Sequence, residues 1–258
     1  MITIYSSDSI GVRGNCLYPY RHEVMDAAGL REAVKHDYVC AEYKNSYRSG
    51  GNFITSNCLG MDCDNDHTDH EHEWITPDDV RRNFPDVPLA IHFSRHHMKP
   101  KDQKSARPRF HCLFTIEPTT DVKAYADMKA RLNALFPYFD AQALDGARFF
   151  FGTDDPEVDF FPGTITLNEC LERYYPEEDS FANLPDGTPQ GRAVIQEGSR
   201  NRTMSVFAGK ILKRYGDGDQ THDLFLQEAA KCDPPLPDGE LATIWRSARS
   251  FYQRIRSQ

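Results

Sequence analysis

From residue 53 onward the apolar positions follow two distinct rhythms. FITSNCLGMDCD (53–64), LAIHFSR (89–95) and RFHCLFTIE (109–117) alternate at every second position, the period of a half-buried strand. ARFFFGT (147–153) is shorter and more continuously apolar, and reads as a fourth strand. Between them, TPDDVRRNF (76–84) opens like a helix, with Thr76 as N-cap and Pro77 at the first helical position. DVKAYADMKARLNALF (121–136) carries Val122, Tyr125, Met128, Leu132 and Leu135 at helical spacing. The predicted order is β-α-β-β-α-β, a ferredoxin- or RRM-like unit of the α+β class whose first and third strands are central neighbours. Residues 1–52 are less patterned and are expected to add a further α/β layer.

Residues 176–200 are rich in Pro, Gly and Asp and read as a linker. Three helical stretches follow: TMSVFAGKILKRY (203–215) ending at Gly216, HDLFLQEAAKC (222–232), and ELATIWRSARSFYQRI (240–255) after an Asp238 cap. The expected division is an α+β domain over 1–180, a linker over 181–197 and a small all-α domain over 198–258.

Strand alternation sends Leu59, Met61 and Cys63 to one face and Gly60, Asp62 and Asp64 to the other. The third strand does the same, with Phe110, Cys112 and Phe114 inward and Arg109 and His111 outward. A helix-free sheet face would thus carry two carboxylates beside a histidine. Crowding like charges is costly, and a divalent ion removes the cost: Mg²⁺ or Mn²⁺ takes hard oxygen ligands from several acids at once. Two such ions are the usual device for nucleotidyl transfer. Three other readings compete. One is a solvated strand end. Another is an EF-hand loop through Asp62, Asp64, Asp66 and Glu73, although its sixth position is His67 rather than Gly. The third is a zinc site from His67, His70 and His72 with Cys63.

Composition changes this picture little. The 258 residues are 39% hydrophobic and 27% charged, with a net charge of −9. The charge is uneven: residues 192–258 hold 11 Lys and Arg against 8 Asp and Glu, so the acid excess lies upstream. The seven cysteines form no C-x-x-C pair, which argues for reduced structural thiols. No run reaches the ~18 apolar residues of a membrane span, so a cytoplasmic protein with no membrane partner is expected. SRHHMKPKDQKSARPR (94–109) concentrates Arg95, Lys99, Lys101, Lys104, Arg107 and Arg109 in one hairpin loop leading to His111. Cations there would hold phosphates.

These residues carry a resemblance. D-x-D on a strand, then R-P-R-F-H, then YFDAQALDGARFFFG resemble the three motifs of the archaeo-eukaryotic primase superfamily, the primase–polymerases. The resemblance implies metal-binding acids at Asp62, Asp64 and Asp140, with two Mg²⁺ or Mn²⁺ ions, and a nucleotide-contacting histidine at His111. It implies a triphosphate grip by Arg107, Arg109, Lys99, Lys104 and Arg148, the last eight residues beyond Asp140. Where many members have Ser two residues before the histidine, this chain has Arg109. GSRNRTMSVFAGKIL and CDPPLPDGELATIWRSA, within 198–258, are similar to the helical primase C-terminal domain of plasmid, phage and integrative-element proteins. Its expected nucleic-acid contacts are Lys210, Lys213, Arg214, Arg246 and Arg249. The implied function is template-directed DNA primase or polymerase activity using NTPs or dNTPs on single-stranded DNA. A replicative helicase would act in trans or on a longer chain, since no G-x-x-x-x-G-K-[ST] stretch is present. A metal-dependent nuclease and a non-catalytic replication-initiation module are the alternatives.

Overall fold

Strand β5 (Phe53–Cys63) organises the larger part of the molecule, pairing antiparallel with β7 (Phe110–Thr119) so that Asp62 lies opposite His111. The computed structural model describes residues 1–71, 74–136, 138–175, 195–197 and 200–256. The chain divides into two compact units, Met1–Phe181 and Ala182–Gln258.

The first unit begins with β1 (Ile2–Ser6), β2 (Tyr20–Val24), α1 (Ala27–Ala33), β3 (Tyr38–Val39) and β4 (Glu42–Tyr43). After β5 come α2 (Pro77–Asn83), β6 (Leu89–Phe93), β7, α3 (Val122–Leu135), β8 (Phe149–Phe150), β9 (Val158–Phe161) and α4 (Leu167–Tyr174). Thr76 caps α2 as its sequence requires: it accepts from the Asp79 N–H while Asp79 reaches back to the Thr76 N–H. Two sheets form, ordered β4-β5-β7-β6-β9 and β2-β1-β3-β8.

The alternation read from the sequence sorts the two faces of the five-stranded sheet. Leu59, Met61, Cys63, Phe110, Cys112 and Phe114 share one core with residues of α2, α3 and α4. The opposite face, expected to be helix-free, is covered. Ala90 and Leu113 pack there against Ile2, Ile4, Tyr38 and Phe150 of the other sheet and Leu30 of α1. Asp62 is therefore only 4% exposed.

ARFFFGT does not close the β5 sheet as expected. It supplies β8 to the four-stranded sheet, with Phe149 opposite Val39 and Phe150 opposite Tyr38. Phe150 stacks on Tyr38 with ring centroids 5.3 Å apart. It can lie on β5 because residue 60 is glycine: a Cβ there would come within 2.6 Å of the Phe150 ring and 2.8 Å of the Cys40 sulfur. The place beside β5 goes to β4, which reaches only Phe53 and Thr55. Farther along that edge single groups take over. The Tyr125 hydroxyl donates to the Cys58 carbonyl at 3.0 Å, and the Asp140 N–H donates to the Asp62 carbonyl at 2.9 Å.

The second unit holds α5 (Arg200–Tyr215), α6 (Asp219–Ala229) and α7 (Asp238–Arg256), the last including Asp238 rather than starting after it. It is not all-α, because β10 (Ile195–Gln196) and β11 (Cys232–Asp233) pair in parallel. Of the expected linker 181–197, only 195–197 lies within the described residues. Among the described residues no helix is long and apolar enough to cross a membrane.

Candidate active site

The end of β5 gathers the acids. Asp62 is buried between two partners: His111 Nε2 lies 3.2 Å from its Oδ1, and Arg148 donates from Nε at 3.1 Å and from Nη2 to its Oδ2. The loop leading into β8 delivers Arg148, which keeps a third of its side chain exposed (33%). Asp64, partly exposed just past the strand, accepts from Lys101 at 2.8 Å. Asp140 is anchored beside Asp62 by its backbone, and its carboxylate accepts from the Gln142 N–H at 2.8 Å.

Among the described residues, no three His, Cys, Asp or Glu side chains gather closely enough to hold a metal ion, because each acid is turned to its own partner. The donor chemistry nonetheless fits a hard divalent cation. All three groups are carboxylates, two stand at one strand end, and the third is tied by its backbone to the first. Arg148 and Lys101 supply the positive charge that Asp62 and Asp64 face. Zinc does not fit. Cys63 points into the helix-side core, away from His67 and His70, and burial pushes its thiol pKa up. His72 and Glu73 lie outside the described residues. Asp62 belongs to a strand running through Cys63, which is no start for an EF-hand loop.

The basic hairpin loop divides by role. Arg107, expected on the triphosphate, is fully buried and staples the acidic loop: it donates to the carbonyls of Asn65 and Thr68 at 2.9 and 3.0 Å, and to Asp69 and Ser105. Asn65 pins the same loop from within, donating to the Ile75 and Pro108 carbonyls and accepting from the Ile75 N–H. Arg109 is likewise buried, with Nη1 on the Lys99 carbonyl at 2.9 Å. Neither arginine is open to a ligand. A guanidinium can serve several carbonyls at once, so a charge run in sequence does not reveal which cations face inward. Lys99 is exposed, and Lys104 pairs with Asp69 at 3.4 Å. In the second unit Lys210, Lys213 and Arg246 are exposed, Arg249 is paired with Asp217 at 2.6 Å, and Arg214 is buried rather than available to nucleic acid.

Three groups escaped the sequence reading. His92 of β6 lies opposite His111, fully buried, and Tyr38 of β3 stands between them: its hydroxyl is 3.1 Å from His92 Nδ1 and 3.3 Å from His111 Nδ1. Burial lowers both imidazole pKa values, His92 further because His111 is beside it, while Asp62 opposes the shift at His111. The alternation of LAIHFSR already places His92 on the Asp62 face, so that signal was available. Lys129 of α3 is the third. Its ammonium reaches the Asp145 carbonyl at 3.4 Å, and burial lowers its pKa to about 8.

No family model and no curated protein matches this chain. Among solved structures it is similar to the AEP domain of the cyanophage S-2L primase-polymerase (PrimPol), with 17% sequence identity and a TM-score of 0.37 over 66% of this chain and 88% of that one.

Proposed function

We propose that this chain is a primase–polymerase, which transfers nucleotides from NTPs or dNTPs to a growing 3′-end on a single-stranded DNA template. The observation that supports this reading is the convergence of three separated sequence segments on one strand end. Asp62 faces His111 across the β5–β7 register, Arg148 reaches Asp62, and the Asp140 backbone is bonded to Asp62. Asp62, Asp64 and Asp140 would hold Mg²⁺ or Mn²⁺. Bound ions of this kind promote attack by the 3′-hydroxyl on the α-phosphate and stabilise the departing pyrophosphate. The chain's own part is positioning and charge. Arg148, partly exposed beside the acids, and Lys99 offer donors to phosphate oxygens, and His111 contacts the nucleotide. Lys210, Lys213 and Arg246 of the second unit offer exposed charge to the template backbone.

The test is an extension assay on primed and unprimed single-stranded DNA with Mg²⁺ or Mn²⁺, NTPs and dNTPs being supplied separately. Extended product dependent on Asp62 is expected. Metal-dependent shortening of the template would indicate a nuclease, and tight binding without turnover a non-catalytic initiation module.

A further inference from the structure

A chain of four polar contacts crosses the interior between the two sheets: Asp62 Oδ1 to His111 Nε2 at 3.2 Å, His111 Nδ1 to Tyr38 Oη at 3.3 Å, Tyr38 Oη to His92 Nδ1 at 3.1 Å, and His92 Nε2 to Thr153 Oγ1 at 3.3 Å. We propose that Tyr38 and His92 are positioning residues that fix the ring tautomer of His111, holding its N–H on Nε2 at the Asp62 end of the site.

With the rings neutral, the inventory of donors and acceptors leaves one consistent arrangement. Arg148 can only donate, so the carboxylate of Asp62 accepts from it and accepts again from His111 Nε2–H. A neutral imidazole has one N–H, so His111 Nδ1 must accept, and it accepts from the Tyr38 hydroxyl. The Tyr38 oxygen, its proton committed, takes the Nδ1–H of His92. His92 Nε2 is then an acceptor, which the Thr153 hydroxyl fills. Reversing any one contact sets two donors or two lone pairs against each other in a site where Tyr38 and His92 are fully buried. Tyr38 and His92 are fully buried and His111 nearly so, and burial disfavours charge on a ring. Two consequences follow. His111 Nδ1 is held by Tyr38, so the ring presents its Nε2 edge to the site, where the N–H lies on Asp62. The ring also cannot rotate without breaking two contacts, so a nucleotide meets it already oriented.

The tautomer rests on the contacts and the burial of the rings; its effect on nucleotide use rests on the function proposed above. Long-range ¹H–¹⁵N correlation spectra of histidine-labelled, metal-free protein read the tautomer directly. We expect the Nε2–H form at His111 and the Nδ1–H form at His92. Tyr38→Phe should convert His111 to a mixture of tautomers and raise the nucleotide KM roughly fivefold to tenfold, about the effect of one lost hydrogen bond, with kcat changed less. Thr153→Val, at the far end of the chain, should disturb His92 first. Finding Nδ1–H at His111 in the unaltered protein, or unchanged ring ¹⁵N shifts in a folded Tyr38→Phe protein, would overturn the proposal. A shifted tautomer with unchanged nucleotide KM would uphold it and remove His111 from nucleotide contact.

Discussion

Arg148 places both Nε and Nη2 on a single oxygen of Asp62, leaving Oδ1 to His111. The aspartate that the sequence presents as one of a crowd of acids is thus faced by a cation and an imidazole. Its energetics are those of a paired buried charge rather than of repulsion.

Asp62→Asn should therefore do two things. Synthesis should fall to background, because a hard ligand and the partner of Arg148 are lost together. Metal-free stability should drop by about 1–3 kcal/mol rather than rise, since Arg148 keeps solvent access and part of its loss is recovered by water. Urea denaturation without metal checks the second outcome. Asp140→Ala should also abolish synthesis. Asp145→Ala should mainly loosen a turn, because its carboxylate serves the Ala147 N–H at 2.7 Å.

Arg107→Ala should destabilise the first unit by roughly 1–3 kcal/mol, the cost of leaving the Asn65 and Thr68 carbonyls without the guanidinium that served them, the Asp69 carboxylate being exposed to water. Arg107→Lys should recover little, lacking the planar fork. Equal stability with weakened nucleotide use would return Arg107 to the ligand role that its sequence setting suggested.

Gly60→Ala should cost about 1–3 kcal/mol, because the added methyl meets the Phe150 ring and the Cys40 sulfur in a packed interior. Thermal unfolding would register it. The double variant Gly60→Ala with Phe150→Leu should recover part of the loss, as contacting residues do not add independently.

Lys129→Met should be more stable than the parent near neutral pH. The ammonium is held near pKa 8 when folded against an ordinary 10.5, so the unfolded chain binds the proton more tightly. The penalty is complete below pH 8, shrinks as pH climbs from about 8 to 10.5, and is gone above that. Its ceiling is roughly 3 kcal/mol. The difference between variant and parent, followed by denaturation from pH 7 to 10.5, should decline along that course.

Lys210→Glu with Lys213→Glu should weaken single-stranded DNA binding. It should flatten the salt dependence of the affinity by about 0.7 in slope for each positive charge removed, and somewhat more for reversal. Arg214→Ala, altering a buried side chain, should instead lower the stability of the second unit. Fluorescence titrations at two salt concentrations separate the two.

The parts legible in the sequence were those governed by local periodicity. The faces of β5 and β7, which put Asp62 and His111 on one side of neighbouring strands, and the Thr76 cap follow from period-two alternation and one turn of helix; the register that sets the two residues opposite each other does not. What escaped was decided between distant segments. β8 offers only two ladder residues, too few to choose a sheet by themselves; the space above Gly60 chose for it. Tyr38 carries no mark of its role, because its partners sit on β6 and β7, far along the chain. Arg107 and Arg109 were indistinguishable from Lys99 until the acidic loop closed over them.

The edge of β5 beyond Thr55 bears on colloidal behaviour. An uncovered strand edge is a template on which a second chain can add a strand, and a strand whose two faces are both buried would be a hazardous place for one. One phenol on Cys58 and one amide on Asp62 occupy two of the carbonyls that an invading strand would use. The bond that stations Asp140 beside the acids thus also guards the sheet edge, so a change that moves this backbone should show as self-association in light scattering as well as in lost turnover.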